Sequence, residues 1–217
     1  MASSSGLKLH LGCGSTVVPG WENIDKSPTV TLARVPGARR ALRAARVLTA
    51  EQANAVFPRG IVHVDVRRGL PYPDGAARYV YSSHMIEHMA RWQGLALVRE
   101  CARVLEPAGI LRLATPDLAT VVDAYVRARR DGDVAAGDTF MSNLGTFVER
   151  PDSRPATIMQ RLFTAPHQWL YDHESLAGLL REGGFVDVQA RAFRESELPE
   201  IELLEHRDSL FVEARRT

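Results

Sequence analysis

Three groups of residues in this chain have types and spacings that can do chemistry. His84-Met85-Ile86-Glu87-His88 sets two imidazoles four positions apart, with a carboxylate beside the second. On a helix the two histidines would share one face, as a pair of metal ligands needs. The order His-x-x-Glu-His is also that of the inverted zinc-peptidase motif. That motif lies inside a helix and takes a third ligand from downstream, whereas here the first histidine follows a predicted strand, Arg78–Ser83. Glu100 and Glu106 are third ligands only by default. The second group is Gly12-Cys13-Gly14 with Asp25. Successive N–H groups in a glycine turn form a concave nest for a carboxylate or phosphate. An acid at the tip of the following strand can accept hydrogen bonds from both hydroxyls of a ribose. The third is His167, whose imidazole suits a general base, with Tyr171 and Asp172 nearby to orient it and Trp169 and Leu170 to restrict water.

The elements that must position these groups follow from alternation and punctuation. Leu7, Leu9 and Leu11 alternate and stop at Gly12, which predicts a short buried strand; Trp21–Asp25 predicts a second. Ile61–Val66 predicts a third strand, ending near Asp65, and Ile110–Thr115 a fifth. Gln93–Val104 reads as a helix closed by Glu106-Pro107-Ala108-Gly109. Asp117 caps a helix that reaches about Arg130. Thr49-Ala50-Glu51-Gln52 resembles another helix start. The arginines Arg34, Arg39, Arg40, Arg43 and Arg46 read as a solvated helix face, with an anion site as the alternative. Residues 131–165 show no clean period, and an insertion of that length is uncommon unless it serves as a lid or binding loop. A helix before Gly183-Gly184-Phe185 and strands at Val186–Ala192 and Ser209–Ala214 complete the pattern.

Two nucleoside-binding arrangements share the glycine turn and the acid. A dinucleotide site wants a third glycine three residues after the second, and that position is Val17. Only about Ser15–Gly20 separates the first two strands, so the first helix must be vestigial and its dipole offers little to a pyrophosphate.

Leu9-His10-Leu11-Gly12-Cys13-Gly14 followed by Pro19-Gly20-Trp21-Glu22-Asn23-Ile24-Asp25 resembles the class I S-adenosylmethionine-dependent methyltransferases. Within them it is similar to a small bacterial group of sugar and polysaccharide O-methyltransferases, such as those of methylmannose polysaccharides. Ser82-Ser83-His84 through His88, Arg103 through Gly109, and His167 through Asp172 extend the likeness. The resemblance implies an α/β, Rossmann-like doubly wound fold: a mostly parallel seven-stranded sheet, helices on both faces and an insertion after the fifth strand. It implies one methyltransferase domain over residues 1–217; the Ser-rich start reads as a flexible tail at 1–6, and the long aperiodic insertion as a lid over the acceptor at 131–165. S-Adenosylmethionine is the implied cofactor and S-adenosylhomocysteine the product. Gly12, Cys13 and Gly14 would hold its methionine end, Asp25 its ribose and Asp65 its adenine amino group, with Val66, Ser83 and His84 also lining the site. For a hydroxyl acceptor, His167, His84, Glu87 and His88 are the catalytic candidates. Methyl transfer needs no metal; a divalent ion orienting a sugar diol is compatible with it, but no ligand spacing requires one.

Bulk properties fit this reading. A chain of 217 residues supports one substantial core, and a net charge of +1 gives no warrant for nucleic acid or an anionic membrane. Cys13 and Cys101 do not look like a disulfide framework, and no 18-residue apolar run or secretory segment is visible, so a cytoplasmic protein is expected. The expected partner is a small-molecule or oligosaccharide acceptor; a homodimer stays open. The alternatives are a non-catalytic nucleotide-binding module of the same fold and a nicotinamide-dependent oxidoreductase.

Overall fold

A computed structural model of the chain describes residues 6–26, 37–45, 60–146 and 166–217. The helix start at Thr49, Arg34, Arg46 and residues 147–165 of the insertion lie outside the described residues. The strands are β1 (Leu7–Leu11), β2 (Glu22–Asp25), β3 (Ile61–His63), β4 (Ala77–Ser83), β5 (Leu105–Thr115), β6 (Phe185–Arg191) and β7 (Leu210–Arg216). The helices are α1 (Ala38–Ala44), α2 (Arg91–Val104), α3 (Leu118–Arg130), α4 (Ala136–Leu144), α5 (His173–Glu182) and α6 (Ile201–Leu204). The strands form one open sheet in the order β3-β2-β1-β4-β5-β7-β6. All neighbours from β3 to β5 are parallel, while β7 runs antiparallel to both β5 and β6. The order reverses between β1 and β4, and ligands of such sheets bind beyond the strand C-termini at that switch point. Gly12, Asp25 and His84 all follow from that geometry.

Central strands of a parallel sheet are buried on both faces, so simple alternation gives way to continuous burial. Leu9 and Leu11 of β1 pack with Val80, Leu111 and Leu113 beneath Leu97, Val98 and Cys101 of α2 and Leu176, Leu179 and Leu180 of α5. The opposite face carries a smaller cluster, in which Tyr81 and Ile110 meet Val18, Trp21 and the α6 residues Ile201 and Leu204. His10 also faces this side, tilted against Tyr81 at 5.3 Å and donating to the Asn23 side-chain oxygen. Burial drives its pKa down to about 4 against the opposing pull of the Asn23 bond, so it is neutral at ordinary pH.

The β1–β2 connection has no crossover helix, and Asn23 explains how it manages without one. Its amide accepts from Val18 N at 3.0 Å and donates to the carbonyls of Val18 (3.0 Å) and Trp21 (2.8 Å). One buried side chain thus satisfies backbone groups that a helix would otherwise pair among themselves.

Several predicted boundaries move, for physical reasons. β3 stops at His63, short of Val66, because it pairs only with Asn23–Asp25 of the four-residue β2. The chain then turns in a 3-10 helix, Val66–Arg68, capped by Asp65. β5 begins at Leu105 rather than Ile110: the predicted loop at Glu106–Gly109 is an irregularity inside the strand, where its register with β4 shifts between Ala77 and Tyr79. The aperiodic insertion contains a helix, α4, whose Phe140 meets Tyr125 of α3 at 5.0 Å. Asp117 caps α3 as expected, accepting from Ala119 N at 3.0 Å and Thr120 Oγ1 at 2.7 Å.

The middle of the sheet holds a fully buried cation. Arg112 on β5 pairs with Glu205 at 2.6 Å and Glu213 at 3.4 Å, and donates to the Ala192 and Glu195 carbonyls. Its guanidinium lies over Phe211 at 4.9 Å. These bonds tie the segment between β6 and β7 onto β5. Removing one member of a buried ion pair strands the other, so Arg112→Ala should lower unfolding free energy by about 3–5 kcal/mol. Arg78→Ala, an exposed arginine, should stay within about 0.5 kcal/mol. Urea unfolding of the two variants measures both; similar small losses would mean that the buried network contributes little to stability.

Candidate functional site

At the end of β1 the chain passes through Gly12 and Gly14 with φ of 68° and 55°, the left-handed region that glycine enters without strain. At Gly12 a Cβ would lie 2.7 Å from Met85 Sδ, so the thioether seats directly on the turn. At Gly14 a Cβ would meet nothing within 4 Å: that backbone faces open space. The N–H of Gly14 donates to Asp25 Oδ2 at 2.8 Å, and those of Gly12 and Cys13 donate to the Ile24 carbonyl. The structure therefore brings Gly12, Cys13, Gly14 and Asp25 together. Cys13 is inert there: burial, with the Asp25 charge second, raises its thiol to about 12.

Asp65 stands on the next strand tip over. Arg67 grips it in a fork, Nε to Oδ1 at 2.9 Å and Nη2 to Oδ2 at 2.7 Å, and holds its pKa down to about 2. Both oxygens are thus occupied, and an adenine amino group would have to share or displace Arg67. The side chain of Val66 is buried in the main core, which leaves its backbone for a ligand. Ser83 ends β4, half-buried, opposite Ala114 of β5.

The His84–His88 run is not α-helical: His84 and Met85 lead into a single 3-10 turn, Ile86–His88, and the two histidines find different partners. His84 has φ 49°, unusual for a residue with a side chain. Its Nε2 lies 2.8 Å from Ser209 Oγ and its Nδ1 3.2 Å from Glu87 Oε1. The Ser209 hydroxyl donates to the Asp208 carbonyl at 2.7 Å, which leaves its oxygen to accept from His84 Nε2. Glu87 has no exposed surface, and its other oxygen accepts from Thr115 Oγ1 at 3.4 Å. The zinc-peptidase arrangement is absent: His84 and His88 share no face, and Glu100 bonds Arg103 and Leu70 N instead.

His88 turns toward the returning segment, with Nδ1 3.4 Å from the Pro166 carbonyl. That segment is stitched to the turn: Gln168 N and Trp169 N donate to the Glu87 carbonyl at 2.7 and 3.2 Å, and Gln168 Nε2 donates to the His88 carbonyl at 2.9 Å. His167 is thereby set against His88, ring centroids 4.9 Å apart. Its Nδ1–H donates to the Leu144 carbonyl at 2.8 Å, which directs Nε2 and its lone pair away from α4. The orienting group is this helix-end carbonyl. Tyr171 is instead buried, and Asp172 caps α5 through Ser175 at 2.8 Å. Met85, Thr115, Leu144 and Ser209 are site residues the sequence did not reveal; each acts across a long chain separation that leaves no local pattern.

Residues 9–113 match the family model described as a methyltransferase domain. A probable S-adenosylmethionine-dependent methyltransferase of Mycolicibacterium smegmatis is 37% identical over 76 residues, covering 33% of this chain and 27% of the relative. One of Mycobacterium tuberculosis is 43% identical over 51 residues, covering 24% of this chain and 18% of the relative. The chain thus matches about a quarter or less of the length of these curated relatives. A putative O-methyltransferase from Nostoc punctiforme PCC 73102 has 12% identity and a TM-score of 0.50, covering 99% of this chain and 53% of that one, a likeness of fold alone. The matched motifs, these relatives, and the glycine turn and acid at the switch point support a class I S-adenosylmethionine-dependent methyltransferase domain.

Proposed function

We propose that the protein methylates a hydroxyl group of a sugar or polysaccharide, with His167 as the general base. The observation that carries the base assignment is the Nδ1–H of His167 donating to the Leu144 carbonyl, which leaves Nε2 as the proton acceptor. His84 has both ring nitrogens engaged, and Glu87 is buried between His84 and Thr115. His88 is the neighbouring alternative, held more weakly at 3.4 Å. What supports the sugar acceptor is the motif resemblance, together with the exposed indole of Trp169 two residues from His167, an apolar face with a polar edge.

S-Adenosylmethionine, when bound, supplies a methyl group activated by the sulfonium. The residues present fit it: Gly14 offers open backbone, Asp25 a carboxylate for a diol, and Met85 an apolar wall beside Gly12. The rest is positioning. The stitched turn and returning segment fix His88 and His167 in one place, and His167 Nε2 takes the acceptor proton as the new bond forms. We further propose that α4 walls the acceptor side, since its last carbonyl holds the base. The nicotinamide reading has Val17 and the helix-free β1–β2 connection against it.

Incubating the protein with S-adenosylmethionine and a panel of mono- and oligosaccharides should yield product heavier by one methyl group. Asp25→Ala should weaken S-adenosylhomocysteine binding roughly ten- to a hundredfold, as loss of a charge-assisted hydrogen bond does. Asp25→Asn, which retains an acceptor for Gly14 N, should restore part of that loss. Unchanged calorimetric affinity in a folded Asp25→Ala variant would remove Asp25 from the site.

His167→Ala should lower turnover by about a hundred- to ten-thousandfold while cofactor affinity and melting temperature hold. Gly145→Ala offers a second route to the same end. Gly145 has φ 64°, and a Cβ there would lie 2.6 Å from His167 Nδ1, displacing the imidazole without removing it. Near-normal turnover in His167→Ala would exclude the base role. A collapsed melting temperature would make His167 a pin for the returning chain.

A further inference from the structure

The site residues contain a second pattern that methyl transfer does not use. Among the described residues, Glu87, His88 and His167 each place one potential ligand atom so that all three lie within 4.8 Å of one another. Both imidazoles are prepared in the same way: His88 and His167 direct Nδ1 at backbone carbonyls, of Pro166 and Leu144, and leave Nε2 available. Metal-bound histidines are held in this manner, since the outer hydrogen bond fixes both tautomer and ring direction. Glu87, with no exposed surface, sits between His84 and Thr115, and its contact with Thr115 is long at 3.4 Å, leaving Oε2 loosely held.

We propose that Glu87, His88 and His167 form a binding site for a borderline divalent transition ion, of the class of zinc or cobalt. Two nitrogens and one carboxylate oxygen suit these ions, whereas magnesium and calcium want oxygen ligands. Tetrahedral donors stand about 3.4 Å apart at ordinary zinc bond lengths, so the three groups draw together by roughly an ångström on binding. Three protein ligands leave the fourth position open to water or a hydroxyl oxygen. The site is distinct from the zinc-peptidase pattern in the sequence, because His84 faces Ser209 and His167 takes its place. One consequence rests on the proposed base role: an ion on His167 Nε2 takes the lone pair that would accept the proton, so the ion inhibits methyl transfer.

The test uses the whole chain without a histidine tag, stripped with a chelator and titrated with zinc chloride by calorimetry and with cobalt chloride by visible absorption. One ion per chain is expected, with the visible bands of a four-coordinate cobalt centre. His88→Ala and His167→Ala should each weaken zinc binding by more than the roughly ten- to hundredfold that outer-shell changes cost. His63→Ala, an exposed histidine on β3, should leave it unchanged. Nitrogen NMR should show zinc shifting the Nε2 resonances of His88 and His167, and His88→Gln replaces His88→Ala if that variant melts early. No stoichiometric binding, equal affinity in the His88 and His167 variants, or an equal loss in His63→Ala would overturn the site. Zinc binding with undiminished turnover would retain the site and remove the base role, so the two readings fail separately.

Discussion

One residue with no exposed surface, Glu87, joins the two halves of this site, through its carboxylate on one side and its backbone carbonyl on the other. A polar side chain without exposed surface needs partners inside the protein, and Glu87 finds them on its side chain while its backbone carbonyl takes two more donors. His84 and Thr115 supply them to its side chain, and Gln168 N and Trp169 N bond to its carbonyl. Those four contacts join the turn after β4, the tip of β5 and the segment that returns from the insertion. His84 continues the chain of bonds to Ser209 at the start of β7. The left-handed backbone at His84 costs on the order of 1–3 kcal/mol, and this network is what holds it there. The same twist sets Met85 on the Gly12 turn. One buried residue thus links the Met85 contact at the Gly12 turn to the imidazoles of His88 and His167.

The opposite margin of the site depends on Asn23. With no helix between β1 and β2, the turn that carries Gly12 and Gly14 has no dipole to lend it rigidity. Asn23 bonds the backbone at Val18 and Trp21 in the second half of the loop, and Asp25, two residues on, closes the glycine turn from the strand tip. A short connection and a polar hub do here what a crossover helix does in dinucleotide folds. Arg67 on Asp65 sets the third boundary and leaves both oxygens of that carboxylate paired.

Much of this was legible in the sequence, and the limits have physical causes. Alternation in Leu7–Leu11, the stop at Gly12 and the acid at Asp25 gave the switch-point geometry, because these signals are local. Strand length was not local: β3 is cut short by the brevity of its partner β2, and β5 runs through the irregularity at Glu106–Gly109 because Ala77 pairs with Leu105. Helix α4 was hidden by a mixed sequence that is stabilised by packing on α3. The sequence singles out His84, His88 and His167 as candidates but not the partners the fold gives them. Ser209 lies 125 positions from His84, and Leu144 lies 23 from His167 across the insertion. Four-residue spacing within His84–His88 pairs two imidazoles only on an α-helix, and here the chain makes a single 3-10 turn at Ile86–His88.

The proposed function requires that the strand tips of β1 and β2 form a site for S-adenosylmethionine rather than for a dinucleotide. Calorimetric titration of the unmodified protein with S-adenosylhomocysteine, and separately with NAD, tests it directly. Saturable binding of S-adenosylhomocysteine at one site per chain, with no heat of binding for NAD, is the predicted result. Binding of NAD without binding of S-adenosylhomocysteine would contradict it.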